Sequence, residues 1–488
     1  MIRGNYQAWS YSSLDAITRD NVQDLELAWT WSMREGGWNA PSPIVHDGVI
    51  YVTNYGNLVQ ALDGRTGDLI WEHEVGIEAQ SYSGMSRNLA VYEDKVFLAT
   101  SDARMVALDA ATGEMLWTMR FGDNTQGHQS TSGPIVVRGK IVQGLNGCER
   151  FSPVGCYISG IDADTGELLW TFHTVARADE PGGDTWPFTG VRERGGGGTW
   201  ATGSYDPELN LIYWGVGNPN PDYYGDLRPG DNLYSNSIVA LDADTGELRW
   251  HYQFTPHDLN DWDSNQIPVL ADIEWQGSPR RVVMLANRNG FFYVMDRVNG
   301  ELLLATPFTA TTWAREIGAD GRPIVLNDGS KGCLPDPWGS TNFMPPSYYP
   351  ELGLFYLTAR ETCATYVAEE PTFVPGQSSF GGVVFIDGDQ GSGALRALDV
   401  QTGDLRWEFP YPSPTFGGVL TTAASLVFAG DHEGNFMAFD AVSGENLWHY
   451  QTGSRIWGAA AMTHMLDGRQ YVLIASGTTL TAFALPGQ

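Results

Sequence analysis

The chain has 488 residues, enough for two or three ordinary domains or one large all-β domain. Gly (58) and Pro (26) supply many turns, while hydrophobic residues at 42% and aromatics at 12% can fill a large core, which argues against disorder. Asp and Glu outnumber Lys and Arg by 58 to 28, and the net charge of −30 argues against nucleic-acid or membrane-surface binding because it repels phosphate backbones and anionic lipid.

The opening, MIRGNYQAWSYSS, lacks the apolar core of a signal peptide, and no later stretch approaches the ~18 to 20 apolar residues needed to cross a bilayer. A soluble protein is expected, and an exported one would have lost its leader. Four cysteines are too few for a disulfide scaffold, and CERFSPVGC (Cys148, Cys156) is not the C-x-x-C-H of covalent haem attachment, so any haem is expected on another protein.

One phrase recurs along almost the whole chain. It reads ALDGRTGDLIW to Trp71, ALDAATGEMLW to Trp117, GIDADTGELLW to Trp170 and ALDADTGELRW to Trp250. It continues as VMDRVNGELLL to Leu304, ALDVQTGDLRW to Trp407 and AFDAVSGENLW to Trp448. An apolar run, an Asp, a Thr-Gly turn and a second run ending in Trp describe strand, turn and strand. Runs before each phrase, such as GVIYVTN (48–54) and KVFLATS (95–101), supply further strands, and helical periodicity is scarce.

Small repeated sheets bury their faces by stacking on neighbours, and a radial ring leaves few exposed edges. The C-terminal QYVLIASGTTLTAFAL lacks the second half of a repeat, which the N-terminal NVQDLELAWTWS, with Trp29, resembles. The expectation is an all-β, eight-bladed β-propeller spanning 1–488 as one domain, without a haem c domain and closed by pairing of N- and C-terminal strands. The repeat tryptophans are expected to pack between blades. The longer intervals, Asp162 to Asp242 and Asp296 to Asp399, leave room for functional insertions.

These W-motif repeats, with the opening YSSLDAITRDNVQDLELAWTWS, resemble the quinoprotein alcohol dehydrogenases that use pyrroloquinoline quinone (PQQ), and the resemblance covers essentially the whole chain. It implies oxidation of an alcohol to an aldehyde or ketone. By the same resemblance, Glu149 in GLNGCERF and Asn218 in GVGNPNP match metal ligands, Trp200 after GGGGT matches the floor under the quinone ring, and Asp261 in TPHDLNDWDSNQ matches the active-site base. Carboxylates with an amide oxygen form the all-oxygen set that suits a hard cation.

Arg87 in GMSRNLA then matches the partner of a quinone carboxylate, a task suited to a planar guanidinium. Thr131 and Asn342 match polar contacts to the ring system, and Arg288 matches the arginine beside the quinone carbonyls. Asp263, two residues beyond the base, resembles the lanthanide-using branch, since an added carboxylate suits a trivalent ion; Ca²⁺ is the alternative.

The chain departs from the family where adjacent cysteines usually cover the quinone, a place taken by Ser81 and Tyr82, and where a quinone-contacting glutamate aligns with Ala40. Cys333 and Cys363 match a family disulfide, and Cys148 and Cys156 could close a loop beside Glu149. Such bridges suit an oxidising compartment, here the periplasm. The expected electron acceptor is a separate protein, a cytochrome c.

Repeats alone also fit a non-catalytic propeller that binds protein partners. A nicotinamide enzyme would need a G-x-G-x-x-G strand-to-helix unit, and a zinc hydrolase an H-E-x-x-H motif; neither occurs.

Overall fold

The computed structural model describes residues 3–36, 40–77, 87–148, 155–187, 195–326, 335–372, 374, 377–386 and 391–487. Within them the chain forms an eight-bladed β-propeller with no α-helix. Blades 1 to 7 occupy residues 44–74, 90–120, 135–173, 204–253, 269–307, 347–411 and 419–451, each as antiparallel strands laid from the axis outward. Blade 8 joins the two ends of the sequence: Glu26–Ser32 pairs antiparallel with Thr479–Ala484, and Trp29 sits opposite Ala482. No described helix is long and apolar enough to cross a membrane.

The recurring phrase builds the third and fourth strands of blades 1 to 7 and the turn between them. In blade 1, Asp63 Oδ1 accepts from the Arg65 and Thr66 amides at 2.8 and 3.1 Å, and Gly67 closes the turn at φ +76°. That glycine is required, because a Cβ there would lie 2.6 Å from the Trp29 indole of blade 8. The relation repeats: Gly113 meets Trp71, Gly166 meets Trp117, Gly246 meets Trp170 and Gly300 meets Trp250. Each tryptophan therefore docks on the turn of the following blade. Trp71 and Trp407 also donate across that boundary, to the Ala110 and Ala441 carbonyls, both at 3.0 Å. Where the repeat has Leu304 in place of Trp, Gly403 meets Leu304 and Thr306 instead.

A β-bulge beside the repeat position makes this docking possible. Register slips between Ala61 and Leu62, and at the equivalent place in other blades. The extra residue turns outward, as the half-exposed Ile70 and Leu116 do, and the added twist aims the tryptophan sideways.

Blades 4 and 5 are also joined by a buried ion pair. Arg297 Nε donates to Asp206 Oδ2 at 2.6 Å, and Nη1 to the Ala271 carbonyl at 2.6 Å. Arg297 Nη1 also donates to Asp272 Oδ1 at 2.6 Å, so the arginine keeps one carboxylate when Asp206 is lost. Asp206→Ala is expected to cost about 1–3 kcal/mol, read as a lower urea midpoint at unchanged slope.

Residues 3–13 cross the inner side of the ring. Tyr11–Ser12 adds a fifth strand, parallel to Val419–Thr422, on the axial edge of blade 7. Earlier carbonyls accept from inner strands in succession: Tyr6 from the Tyr205 amide, Gln7 from Leu270, Trp9 from Tyr348 and Ser10 from Thr421, at 2.9–3.0 Å. One segment thereby ties blades 4, 5, 6 and 7.

Candidate active site

Each innermost strand begins, and each second strand ends, at the same mouth of the ring. Residues just before innermost strands supply Arg87, Thr131, Trp200, Asp261, Asp263 and Asn342; residues just after second strands supply Asn146, Asn218 and Arg288. These side chains line one cavity of about 550 Å³. Eight of the nine site residues expected from the sequence therefore converge. The ninth, Glu149, lies outside the described residues, as do Ser81 and Tyr82.

Trp200 organises the cavity. Its indole Nε1 donates to Asp263 Oδ2 at 2.8 Å, while the other Asp263 oxygen accepts from the Asn218 amide at 2.8 Å. The guanidinium carbons of Arg87 and Arg288 lie 5.0 and 5.4 Å from the Trp200 ring centroid, within cation–π range. Phe343 meets the same indole edge-on at 6.1 Å.

Arg87 is held by neutral oxygens. Its Nη1 donates to the Thr131 hydroxyl at 2.7 Å and to the Thr131 carbonyl at 3.2 Å, and its Nε is buried with no hydrogen-bond partner. Burial first, and then the neighbouring Arg288 charge, pull its pKa down to about 9. An enclosed guanidinium with no counter-ion among the described residues is a receptor for an anion.

The opposite charge gathers on the other wall. Arg288 Nη1 donates to the Asp261 carbonyl at 2.7 Å, and Nη2 lies 3.2 Å from Asp263 Oδ2 and donates to Asn342 Oδ1 at 3.3 Å. Asp261 has φ +60°, the left-handed region that few non-glycine residues adopt, and keeps about a quarter of its side chain accessible. Enclosure raises its pKa well above the ordinary carboxylate range. Arg288 opposes that rise, whereas Asp263, Asp222 and Asp258 add to it. Asp258, which accepts from the Trp262 amide at 3.0 Å, is pushed up to about 6 by burial.

Such mutual repulsion among carboxylates is what a bound cation relieves, and their oxygens suit a hard one. Among the described residues, however, no three His, Cys, Asp or Glu side chains converge on one point. A cation bound here would need oxygen donors beyond these carboxylates.

Several lining residues escaped the sequence reading. Gln129 Oε1 and Asn146 Oδ1 are buried acceptors without partners among the described residues, and Asp222 and Tyr223 follow directly on the NPNP turn. Toward solvent the lining becomes apolar, with Trp338, Phe380, Val384 and Ile386. Val384 and Ile386 belong to a hairpin formed by Ala364–Ala368 and Gly382–Ile386, inserted in blade 6. Ala40 is fully buried beside Gly458 and brings no polar group.

Cys148 and Cys156 form a disulfide, with a Cα–Cα distance of 5.4 Å, that closes the segment containing Glu149. The other expected pairing involves Cys333, which lies outside the described residues.

A family model described as "Glucose/ethanol/alcohol dehydrogenase, beta-propeller domain" matches residues 1–309, more than half of the sequence. The chain belongs to the PQQ-dependent alcohol dehydrogenase family. It is an oxidoreductase, and the reading as a non-catalytic scaffold is set aside. The quinohemoprotein alcohol dehydrogenase of Comamonas testosteroni is 37% identical over 515 residues, covering 97% of this chain and 72% of that protein.

The lanthanide-dependent methanol dehydrogenase of Methylorubrum extorquens is 32% identical over 524 residues, covering 97% and 86%. A europium-containing methanol dehydrogenase superposes with a TM-score of 0.94 at 30% identity, covering 99% of this chain and 97% of that one. A second family model, "Outer membrane protein assembly factor BamB", matches residues 367–486 and reflects the shared blade repeat.

Proposed function

We propose that this quinoprotein oxidises alcohols to aldehydes or ketones with PQQ and a metal ion bound in the 550 Å³ cavity. The observation that carries this reading is the division of charge around Trp200: an arginine with no counter-ion among the described residues, Arg87, on one side and the Asp261 and Asp263 carboxylates with Asn218 on the other. An anionic, planar quinone with an attached cation satisfies both. When bound, the quinone accepts the hydride, and the ion acts as a Lewis acid on its carbonyl.

The chain's own residues supply the rest. Trp200 offers a flat floor whose tilt is fixed by its hydrogen bond to Asp263. Arg87 would pair with a quinone carboxylate, Thr131 and Asn342 would make polar contacts to the ring system, and Arg288 would lie near the quinone carbonyls. Asp261 takes the hydroxyl proton of the alcohol; its carboxylate faces the cavity with about a quarter of the side chain accessible. Glu149, Asn218, Asp261 and Asp263 are the proposed metal ligands. A lanthanide is favoured by the charge of Asp263, with Ca²⁺ as the alternative.

The propeller over residues 1–488 is proposed to work as one domain, in the periplasm or an equivalent exported location. Its electrons would pass to a separate cytochrome c. The test is reconstitution of the metal-free chain with PQQ and either La³⁺ or Ca²⁺, followed by dye reduction with an alcohol panel. Quinone absorbance and alcohol-dependent turnover are expected, and absence of both removes the reading.

The apolar mouth narrows the substrate. Trp338, Phe380, Val384 and Ile386 can desolvate a hydrocarbon substituent, and the Trp338 indole N–H is the one hydrogen-bonding group among these four side chains. At about 0.8 kcal/mol per buried methylene, kcat/KM should rise about fourfold per added carbon over the first members of the linear primary alcohols. A flat series from methanol to hexanol would place the substituent outside the cavity.

A further inference from the structure

The carboxylate wall of the quinone cavity meets its apolar mouth at Tyr223. The Tyr223 amide donates to the Phe380 carbonyl at 2.8 Å, and its ring centroid lies 5.7 Å from that of Tyr366 and 6.5 Å from that of Phe380. Tyr366 and Val384, against which the ring packs, belong to the hairpin inserted in blade 6. The phenol is therefore fixed from its apolar side. Its hydroxyl makes no hydrogen bond among the described residues and keeps accessible surface.

Three carboxylates act on that hydroxyl. Burial first, and then the charges of Asp261, Asp222 and Asp258 in decreasing order, hold the phenol protonated far above its ordinary range, against the opposing charge of Arg288. A phenol in this setting donates a hydrogen bond and does not compete with Asp261 for a proton.

An alcohol entering the cavity has two requirements. Its O–H must point at a base, and its oxygen, once out of water, needs a donor. Asp261 meets the first. For the second, Arg288 is already engaged with oxygens of Asp261, Asp263 and Asn342, and the Thr131 hydroxyl accepts from Arg87. Tyr223 offers the uncommitted hydroxyl among the described lining residues, at the boundary where the polar end of an alcohol gives way to its hydrocarbon end.

We infer that the Tyr223 hydroxyl donates to the oxygen of the alcohol whose proton Asp261 accepts, so that Tyr223 orients the substrate with its hydrocarbon end toward Phe380 and Val384. This assignment rests on the alcohol-oxidising reading above.

Tyr223→Phe removes one oxygen and keeps the ring on the hairpin, so quinone absorbance after reconstitution should match the wild type. With 1-butanol, KM is expected to rise about 3- to 12-fold while kcat stays within about twofold, the pattern of a hydrogen bond made equally in the ground and transition states. The gain in kcat/KM per added methylene should be unchanged, because the lost contact is at the hydroxyl end. A KM within about twofold of the wild type, a flattened chain-length series or a loss of quinone absorbance overturns the assignment. If the wild type turns over alcohols and the variant behaves identically, only the role of Tyr223 falls; if the wild type oxidises no alcohol, the underlying reading falls and takes this one with it. Crystals of the wild-type holoenzyme grown with butyramide require no variant, since its amide N–H can meet Asp261 while its carbonyl meets Tyr223. A carbonyl oxygen within about 3.2 Å of Tyr223 Oη supports the assignment. An oxygen bonded elsewhere, or no butyramide in the cavity, overturns it.

Discussion

Asp261→Asn should leave PQQ bound while turnover falls by about 10²- to 10⁴-fold, the usual contribution of a positioned general base. The substitution is nearly isosteric, and Asn tolerates the left-handed backbone at φ +60° better than most residues. The Arg288 hydrogen bond to the residue 261 carbonyl survives, and the longer 3.4 Å contact of Arg288 with Oδ1 keeps an oxygen but loses its charge. What disappears is the negative charge and with it the ability to take a proton. Quinone absorbance after reconstitution and dye reduction at saturating alcohol separate the two effects. A variant retaining more than a tenth of the wild-type rate would assign the base elsewhere, with Asp222 or Asp258 the next carboxylates in the cluster.

Asp263→Ala should lower the ratio of lanthanide-supported to calcium-supported activity at least tenfold. The carboxylate adds a negative charge that a trivalent ion can use and a divalent ion needs less. It also accepts from the Trp200 indole and the Asn218 amide and pairs with Arg288, so its loss loosens the floor whichever ion is present. The ratio cancels that common damage. Asp263→Asn refines the comparison: it keeps an oxygen for the two N–H donors but removes the charge, so absolute activity should recover in part while the metal ratio stays low. An unchanged ratio in both variants would leave Asp263 as a support for Trp200 alone.

Much of the fold was legible because each blade repeats one phrase whose parts have separate physical tasks: the Asp and Thr-Gly build the turn, and Trp fills the gap to the next blade. Even the divided blade could be read, since Trp29 lies in the same apolar context as Trp71. The bulge could not. It depends on how far the indole must rotate to reach the following turn, a distance between blades that no single repeat encodes.

The site was legible where distinctive residue types stand in loops, as with Trp200 after four glycines or Asp261 and Asp263 flanking a tryptophan. It was illegible where ordinary residues acquire a role by placement. Phe380, Val384 and Ile386 look like any short strand region, and only the folding of their hairpin over the cavity brings them to the mouth. The path of residues 3–13 was hidden for the same reason, because Tyr11–Ser12 pairs with a strand some 400 residues away.

Closure of blade 8 by Glu26–Ser32 has a mechanical consequence. An open array of repeats loses structure from its ends, where a unit has a single neighbour. In a hoop every unit is braced on both flanks, so no blade can peel away until a junction ruptures. That rigidity lets loops borrowed from distant parts of the sequence hold a common geometry around one pocket without a covalent frame.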